Sequence, residues 1–323
     1  MTSAPGTTLT ARTLTDLVEL IPSLLGFRPA ACVVAIVVVD GHVSVTARVD
    51  LPAHRPHRLA PQLAPIWRRF PHAQYVVVVC AEASADAWAA VAELHTTLPQ
   101  RDRTLLFADG ARWYDGPEDG GTAYGGNSPL AAAAVVAGHP VLASREALAA
   151  QLAPTRTAEE IGGALDRLRA TPADRSSLVA EALRLVARAD SGETSLDLDQ
   201  ATALCLASHD AAFLDAALFS TTDTNAGARR DLWAEVVRQS IPGCTGYALA
   251  ALALAAWVCG QGALQVICLG KMVGQPGPER WFDTLSGINA EAVPPSEWPA
   301  LRAALFRSGP ECPRTGGNGG GLS

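Results

Sequence analysis

The sequence predicts an α/β module with a mixed β-sheet, followed by an all-α helical bundle. Apolar runs that are typical of buried strands lie at 32–39, 75–80 and 104–108. Beyond residue 155, apolar residues recur with helical spacing and strand patterns are almost absent. Interleaved strands and helices favour a layered α/β domain, whereas helices alone favour a bundle. We therefore divide the chain into an α/β domain (1–153), a helical domain (155–308) and a disordered, glycine-rich tail (309–323).

Two hairpins are expected in the α/β domain. An Asp-Gly pair at 40–41, which is a strong turn signal, joins the first strand to an alternating strand at 43–50. A second Asp-Gly pair, at 109–110, leads into a short strand at 111–114. Helices are predicted over 59–70, 83–98, 130–137 and from 144 to just before Pro154.

The segment at 20–29 is nearly all apolar, yet it contains two prolines and a glycine. A helix that opens near Thr13 is expected to end or kink at Pro22. Five apolar side chains of this region are predicted to close one end of the sheet: Leu20, Ile21, Leu24, Leu25 and Phe27. This packing leaves only Ser23 and Arg28 unexplained, and these are the side chains that a ligand would use.

Composition narrows the class of protein. The chain has 323 residues, of which 49% are apolar and 18% charged, so it has the length and hydrophobicity for a buried core. Its net charge is −7 and it has no long basic run, which argues against nucleic-acid binding. The nearest basic cluster is at 54–58, followed by Arg68 and Arg69.

Cysteine usage and hydropathy indicate the compartment. None of the seven cysteines forms a CxxC pair and most lie in apolar runs, which favours buried thiols in a reducing cytosol over a metal or redox site. The first fifteen residues have no signal-peptide pattern, and the apolar stretches at 30–39 and 247–259 are shorter than the roughly 20 residues of a membrane span. We expect a cytoplasmic protein without membrane contact or cofactor.

The loop at 115–128 is rich in glycine, proline and acid. Its carboxylates, Asp115, Glu118 and Asp119, are of the type that binds hard cations, but their spacing does not match a calcium loop, so a solvated loop is favoured. The loop leads to Ser128, the predicted N-cap of the next helix. Anion binding at this helix N-terminus is the sharper alternative, although no phosphate-loop motif and no nearby lysine support it.

A ligand site at the sheet is the second candidate. Arg48 and Asp50 lie two positions apart, so both side chains are expected on the polar face of their strand. Either Arg28 pairs with Asp50 and locks the loop to the hairpin, or Arg28 and Arg48 hold an anion. Trp113 and Tyr114 point to opposite faces of their strand, so at most one is expected in a core. The candidate ligand-binding residues are Arg28, Arg48, Trp113, Tyr114, Thr122 and Ser128.

Other motifs favour structural interpretations. The His54 and His57 pair lacks further ligands at zinc-site spacing. His209-Asp210 resembles half of a catalytic triad but lies between two predicted helices, where a capping role is favoured. Residues 251–269 resemble one TPR-type hairpin; because a single hairpin is not an array, ordinary bundle core is the favoured interpretation.

Four blocks of sequence together resemble one family. They are LIPSLLGFRPAACVVAIVVVDGHVSVTARVDLP, GARWYDGPEDGGTAYG, AAAAVVAGHPVLASREALAAQLAP and ALAALALAAWVCGQGAL. The combination, which covers most of 13–307, is similar to the actinobacterial DUF4192 proteins, a family of unknown function. The resemblance implies a shared fold and a bacterial, cytoplasmic setting, and it supplies no catalytic residues. Many relatives carry a cysteine- and proline-rich segment after the aromatic pair, whereas this chain has no cysteine there.

Two functions remain in competition. The favoured expectation is a non-enzymatic protein that binds a partner protein, because no catalytic motif is present and the helical half offers an interaction surface. The alternative is a small-anion- or ligand-binding protein, or a hydrolase, with its site near Arg28, Arg48 and the 115–128 loop. Nucleic-acid binding, the third class, is not expected.

Overall fold

A six-stranded mixed sheet forms the first half of the protein, as predicted. The computed structural model describes residues 10–51, 59–98, 103–116, 118–125, 129–136, 140–170 and 174–307. The strands are β1 Cys32–Val39, β2 His42–Asp50, β3 Gln74–Cys80, β4 Arg103–Ala108, β5 Arg112–Tyr114 and β6 Thr122–Ala123. Their order is β2-β1-β3-β4-β5-β6, in which β3 and β4 run parallel and the other neighbours antiparallel.

Helices alternate with the strands in the first half of the chain, and the described part of the second half is helical. Those of the first half are α1 Leu14–Leu25, α2 Leu59–Arg69, α3 Ala85–Thr97, α4 Pro129–Val136 and α5 Arg145–Ala150. Those of the second half are α6 Ala158–Ala170, α7 Arg175–Asp190, α8 Leu198–Ser208, α9 Ala211–Phe219, α10 Ala226–Arg238, α11 Gly246–Val258, α12 Gly262–Met272, α13 Glu279–Ala290 and α14 Trp298–Arg307. The described residues after β6 contain no further strand, so the mixed sheet followed by a run of helices is confirmed.

The first hairpin turns where the sequence predicts. Asp40 and Gly41 have φ of 51° and 76°, the left-handed pair that a tight two-residue hairpin requires. β1 pairs along its length with β2, and a register shift between Val37 and Val38 marks a bulge next to the turn.

Two local predictions need correction. Pro22 does not end α1, which continues to Leu25 and is closed by Gly26 in a left-handed conformation, and the alternative of a kink at Pro22 stays a prediction. Pro22 removes only one backbone donor, and the burial of Ile21 and Leu25 on either side holds the helix together. The 115–128 segment is not entirely loop, because β6 within it pairs with β5.

Both faces of the sheet are buried, and a different set of helices covers each. Val33, Ala35 and Val37 of β1 share one core with α2 and α3. Cys32, Val34 and Ile36 alternate with them and belong to the opposite core. That core also includes Leu185 of α7, Trp233 of α10 and Leu252 of α11. The helical half therefore packs directly on the sheet, and the division of the chain near residue 154 stays a prediction.

The helix α11 is the centre of the helical half. Every residue from Ala248 to Trp257 is buried. It packs against α8, α9, α10, α12 and α13. Its connection to α12 is short, so α11 and α12 form a helical hairpin at the place predicted. Whether this hairpin is related to TPR repeats stays a prediction.

Membrane-spanning potential is low in the described segments. Taken one at a time, none of their helices has both the length and the hydropathy to cross a bilayer. The helices α8 and α9 meet the criterion only as a pair, and that pair is bent by 102°.

A buried ion pair ties three helices of the second half together. The Arg229 side chain of α10 is 4% exposed and bonds both carboxylate oxygens of Asp190 at 2.8 and 2.7 Å. Its remaining nitrogen donates to the Ala217 carbonyl and, at 2.7 Å, to the Ser220 hydroxyl. Arg229 donates hydrogen bonds to groups of α7 and of the end of α9. Its loss would leave several polar atoms without a hydrogen-bond donor.

We expect Arg229→Met to lower the free energy of unfolding by about 3 kcal/mol, because it leaves Asp190 and two acceptors without their donor. Urea denaturation followed by circular dichroism measures this loss. The control is Arg184→Met, which removes an arginine that is 63% exposed and paired with Glu181 on its own helix. The control should change stability by less than about 0.5 kcal/mol; equal losses would contradict the structural role of Arg229.

Candidate functional site

A cavity of about 970 Å³ lies between the first helix, the sheet and the helical half. Its walls come from α1, the turn between β1 and β2, α5, α10 and the connection between α11 and α12. We call it the α1–α10 cavity. Its volume lies at the upper end of the range for small-molecule sites, which is about 300–1,000 Å³.

One face of α1 forms a continuous apolar wall of the cavity. Leu14, Leu17, Leu20 and Leu24 line it at intervals of three or four residues, which places them along one side of the helix. At 1.5 Å per residue, this wall is about 15 Å long. Ile21, four residues after Leu17, lies on the same broad apolar face and is buried in the core. The apolar face of α1 therefore contributes both to the core and to the cavity wall.

The helix α10 forms the opposite wall. Arg230, Ala234 and Arg238 line the cavity and recur every four residues, so they share one face of the helix. The two arginines are therefore about 12 Å apart along the helix, with the small alanine between them. Each has a carboxylate partner, Asp231 at 2.7 Å for Arg230, and Glu235 for Arg238.

Ser23 carries a buried hydroxyl in the wall of the same cavity. The residue is 8% exposed, and its Oγ has no hydrogen-bond partner among the described residues. An unsatisfied buried hydroxyl costs about 1–3 kcal/mol. Ser23 is among the residues that line the cavity, but its Oγ is shielded from solvent, so this hydroxyl does not open into the space.

The residues that line the cavity do not indicate a metal centre. Across the described part of the chain, no three or more histidine, cysteine, aspartate or glutamate side chains gather as metal ligands. The lining combines apolar side chains with polar and charged residues, which include Arg12, Arg230, Arg238, Asp231, His42 and three glutamines.

In the predicted arginine site, Asp50 pairs with Arg48 and not with Arg28. Arg48 pairs with Asp50 at 2.7 Å, and its guanidinium lies 5.7 Å from the centre of the Phe27 ring. The predicted Arg28–Asp50 lock is therefore wrong, because residues two apart on a strand share a face and Asp50 meets Arg48 first. Arg28 is exposed, and only its backbone is held, by a 2.9 Å bond to the Leu142 carbonyl.

Trp113 and Tyr114 do lie on opposite faces of the sheet, and each ring packs against a core. The Trp113 indole donates to Thr15 Oγ1 at 3.1 Å and packs against the core that includes the helical half. The Tyr114 hydroxyl donates to Asp109 at 2.8 Å, and its ring contacts Phe107. The expectation that at most one packs in a core is wrong, because the sheet is covered on both sides.

The structure separates the predicted site residues. Thr122 is exposed and lies opposite Trp113 at one edge of the sheet, whereas Arg48 lies on β2 at the other. Four strand spacings separate β2 from β5, which is about 19 Å. None of these residues, nor Arg28 or Tyr114, lines the α1–α10 cavity. Ser128 lies outside the described residues, and the role of the whole set in ligand binding stays a prediction.

Hydrogen bonds stabilise the turn of the acidic 115–128 loop. Asp119 accepts hydrogen bonds from the amides of Asp115 and Gly121, both at 3.2 Å. Arg112 donates to the Gly120 carbonyl at 2.8 Å. Gly121 has a φ of 72°, and a Cβ there would lie 2.4 Å from the Tyr114 ring, so only glycine fits. These contacts account for the acid and the glycines without a ligand.

Two further polar groups have structural partners. His209 caps the end of α8 and stacks on Tyr247 at 4.4 Å, while Asp210 caps the start of α9. The capping interpretation is confirmed.

Cys32 and Cys80 face each other across β1 and β3. The hydrogen bond between their thiols lowers the pKa of Cys32 and raises that of Cys80, and Arg48 lowers the pKa of Cys32 further.

Sequence reasoning missed the cavity because its walls come from segments as far apart in the chain as Leu14 and Leu264. Two signals pointed toward it. Ser23 was left unexplained by the packing of its segment, and an Arg-Ala-Arg stripe with a spacing of four stands out on an otherwise ordinary helix.

Comparison with known proteins identifies the family. The model of the family described as "Domain of unknown function (DUF4192)" matches residues 15–274, somewhat less than the 13–307 expected. The match spans the sheet and the helices up to α12 and stops before α13 and α14. No curated protein and no solved structure matches the chain significantly. With most of its length matched, the chain belongs to the DUF4192 family.

Proposed function

We propose that this protein binds a small, largely apolar molecule in the α1–α10 cavity. The observation that carries the proposal is the cavity itself, whose volume of about 970 Å³ suits a small molecule and whose wall includes the row of leucines on α1. The proposal keeps the ligand-binding alternative from the sequence but moves the site away from Arg28, Arg48 and the 115–128 loop.

The chemistry of the walls favours an apolar ligand. Side chains from the sheet, α5 and α12 complete the lining, and they include Val76, Leu148, Leu152 and Leu264. Each methylene group that leaves water in such surroundings contributes about 0.8 kcal/mol to binding. The polar residues of the lining, Arg230 and Arg238 among them, are available to fix the orientation of the ligand.

We expect Ala234→Trp to weaken the binding of N-phenylnaphthylamine, a neutral apolar dye, by at least about tenfold, because the indole occupies the volume between the two walls. A fluorescence titration of the full chain measures the affinity. The dye carries no charge, so the result does not depend on the arginines.

The matched control is Ala228→Trp. Ala228 lies on the same helix and is also half-buried, but it does not line the cavity. This variant should bind the dye as the wild type does, and thermal melting should confirm that both variants fold. If the wild type does not bind the dye, or if both variants bind it equally well, the proposal is wrong.

Cys259 supplies an independent reporter inside the cavity. Its thiol lines the cavity, and burial raises its pKa to about 11, an increase that the nearby Arg230 partly offsets. Three pH units below that pKa, only about one thiol in a thousand is the reactive thiolate. The thiol is therefore expected to react slowly at neutral pH.

We expect alkylation of Cys259 by iodoacetamide to be slow at pH 8, to accelerate about tenfold per pH unit up to about pH 11, and to slow further when the dye is bound. Peptide mass spectrometry follows each cysteine separately. Cys244 is exposed and does not line the cavity, so the dye should leave its rate unchanged. Equal protection of both cysteines would mean that the dye binds elsewhere.

A protein partner and a cytoplasmic, actinobacterial setting remain separate proposals that come from the sequence. One observation favours a partner: α4 is entirely apolar, and its Val135 and Val136 are 52% and 90% exposed. A pull-down from native lysate with the full chain as bait tests the partner. Recovery of no protein at good bait expression would count against it.

A further inference from the structure

We propose that Cys32 and Cys80 form an oxidisable dithiol, in which a hydroperoxide oxidises Cys32 and Cys80 then closes a disulfide between β1 and β3. Two features support this site, the register of the sheet and the arginine beside the pair. Neither thiol lines the α1–α10 cavity, so this inference does not depend on the proposed function.

The sheet places the two cysteines directly opposite each other. Cys32 is the first residue of β1, and it pairs with Cys80, the last residue of β3. Residues that are paired in this way direct their side chains to the same face of a sheet, and both cysteines belong to the same core. The spacing of the cysteines in the sequence gives no sign of the pair, because it depends on the order of the strands.

The backbone hydrogen bonds fix the distance between the two cysteines. The Leu51 amide donates to the Ala31 carbonyl at 2.9 Å, so the backbone of Ala31 faces β2 and that of Cys32 faces β3. Cys32 and Cys80 are therefore a hydrogen-bonded pair, whose Cα atoms lie about 5.5 Å apart in an antiparallel sheet. A disulfide joins Cα atoms that are about 4.4–6.8 Å apart, so the strands need not separate to form one.

Arg48 places a positive charge on the same face of the sheet. On β2, Asp50 is paired with Cys32, and Arg48 lies two positions earlier, opposite Val34. The Nη2 atom of Arg48 contacts Asp50 at 2.7 Å. Its buried Nε atom has no hydrogen-bond partner among the described residues. Deprotonation of Cys32 therefore places a thiolate beside a guanidinium, which stabilises it.

These contacts make Cys32 the nucleophile of the pair. The hydrogen bond from the Cys80 thiol and the charge of Arg48 outweigh burial and lower the pKa of Cys32. The same hydrogen bond, together with burial, raises the pKa of Cys80. Asp50 opposes the effect of Arg48, but its side chain is 76% exposed and solvent screens its charge. Because the thiolate is the reactive form, oxidation begins at Cys32 and Cys80 is the resolving thiol.

Burial selects a small oxidant. Cys32 is 0% exposed and Cys80 is 6% exposed. Both lie at the ends of their strands, next to the exposed Asp50, and strand ends open locally at a lower free-energy cost than strand centres. Hydrogen peroxide is little larger than water and needs only a small opening. A bulky disulfide such as oxidised glutathione needs a much larger one and is excluded.

The two steps balance with hydrogen peroxide as the oxidant. The Cys32 thiolate attacks one peroxide oxygen and the O–O bond breaks, which gives a sulfenic acid and a hydroxide that takes up the proton of the Cys32 thiol as water. The Cys80 sulfur then attacks the Cys32 sulfur, the S–O bond breaks, and a second water leaves with the Cys80 proton. The dithiol loses two electrons and the peroxide gains them.

The experiment treats the full chain with hydrogen peroxide, blocks the remaining thiols after unfolding, and maps each cysteine by peptide mass spectrometry without reduction. We expect a cross-linked peptide pair that contains Cys32 and Cys80, has lost two hydrogens and separates on reduction. Oxidised glutathione should give no such cross-link. Cys268 is equally buried, and burial raises its pKa, so it should remain a free thiol. If peroxide gives no Cys32–Cys80 cross-link, or oxidises Cys268 as fast, the proposal is wrong.

Single-cysteine variants identify the nucleophile. Cys80→Ala should leave a sulfenic acid on Cys32, which dimedone traps as the chain is unfolded, whereas Cys32→Ala should leave Cys80 unoxidised. A sulfenic acid on Cys80 alone, on neither residue or on both equally would overturn the order of the two steps. Thermal melting shows whether each variant folds, and the wild-type cross-link tests the pair without them.

Arg48→Met should slow formation of the disulfide at least about threefold, because the thiolate loses its positive neighbour. Arg48→Lys, which keeps the charge, should restore most of the rate, a result that loss of packing alone would not give. Thermal melting shows that both variants fold. An unchanged rate in Arg48→Met, or equally slow oxidation in both variants, would remove Arg48 from the site.

Discussion

The burial of β1 on both faces is the constraint on which the rest of the structure depends. Its side chains alternate between two cores, so the sheet needs an apolar layer on each side. The helices α2 and α3 cover one face. On the other face α1 and α5 are joined by α7, α10 and α11 from the helical half. The two halves of the chain are therefore bound by a shared core.

This arrangement explains where the α1–α10 cavity lies. The apolar face of α1 is broad, so Ile21 packs in the core while Leu17 and Leu24 on the same face line the cavity. Across the cavity lies α10, which the pair of Arg229 and Asp190 holds against its neighbours.

Local signals in the sequence predicted the elements well, and contacts distant in sequence decided the rest. Alternation and Asp-Gly turns located β1 and its hairpin because those signals act within a few residues. The effect of Pro22 on α1 was misjudged, because the burial of neighbouring side chains outweighs the loss of one backbone hydrogen-bond donor. Strand geometry placed Arg48 and Asp50 on one face, but their pairing was not predicted. The distance from Arg48 to Trp113 depends on strand order, which the sequence does not reveal. The cavity depends on the approach of α10 to α1, which likewise has no local signal.

The α1–α10 cavity combines two features that each reduce stability. A cavity forgoes the packing that larger side chains would supply, and the small residues Ala134 and Ala234 lie in its walls. The Ser23 hydroxyl is buried there without a partner. Unfavourable features gathered at one place in an otherwise consistent structure are typical of functional sites. If the proposed ligand binding is correct, a molecule that fills the space restores packing contacts, and we expect it to raise the stability of the fold.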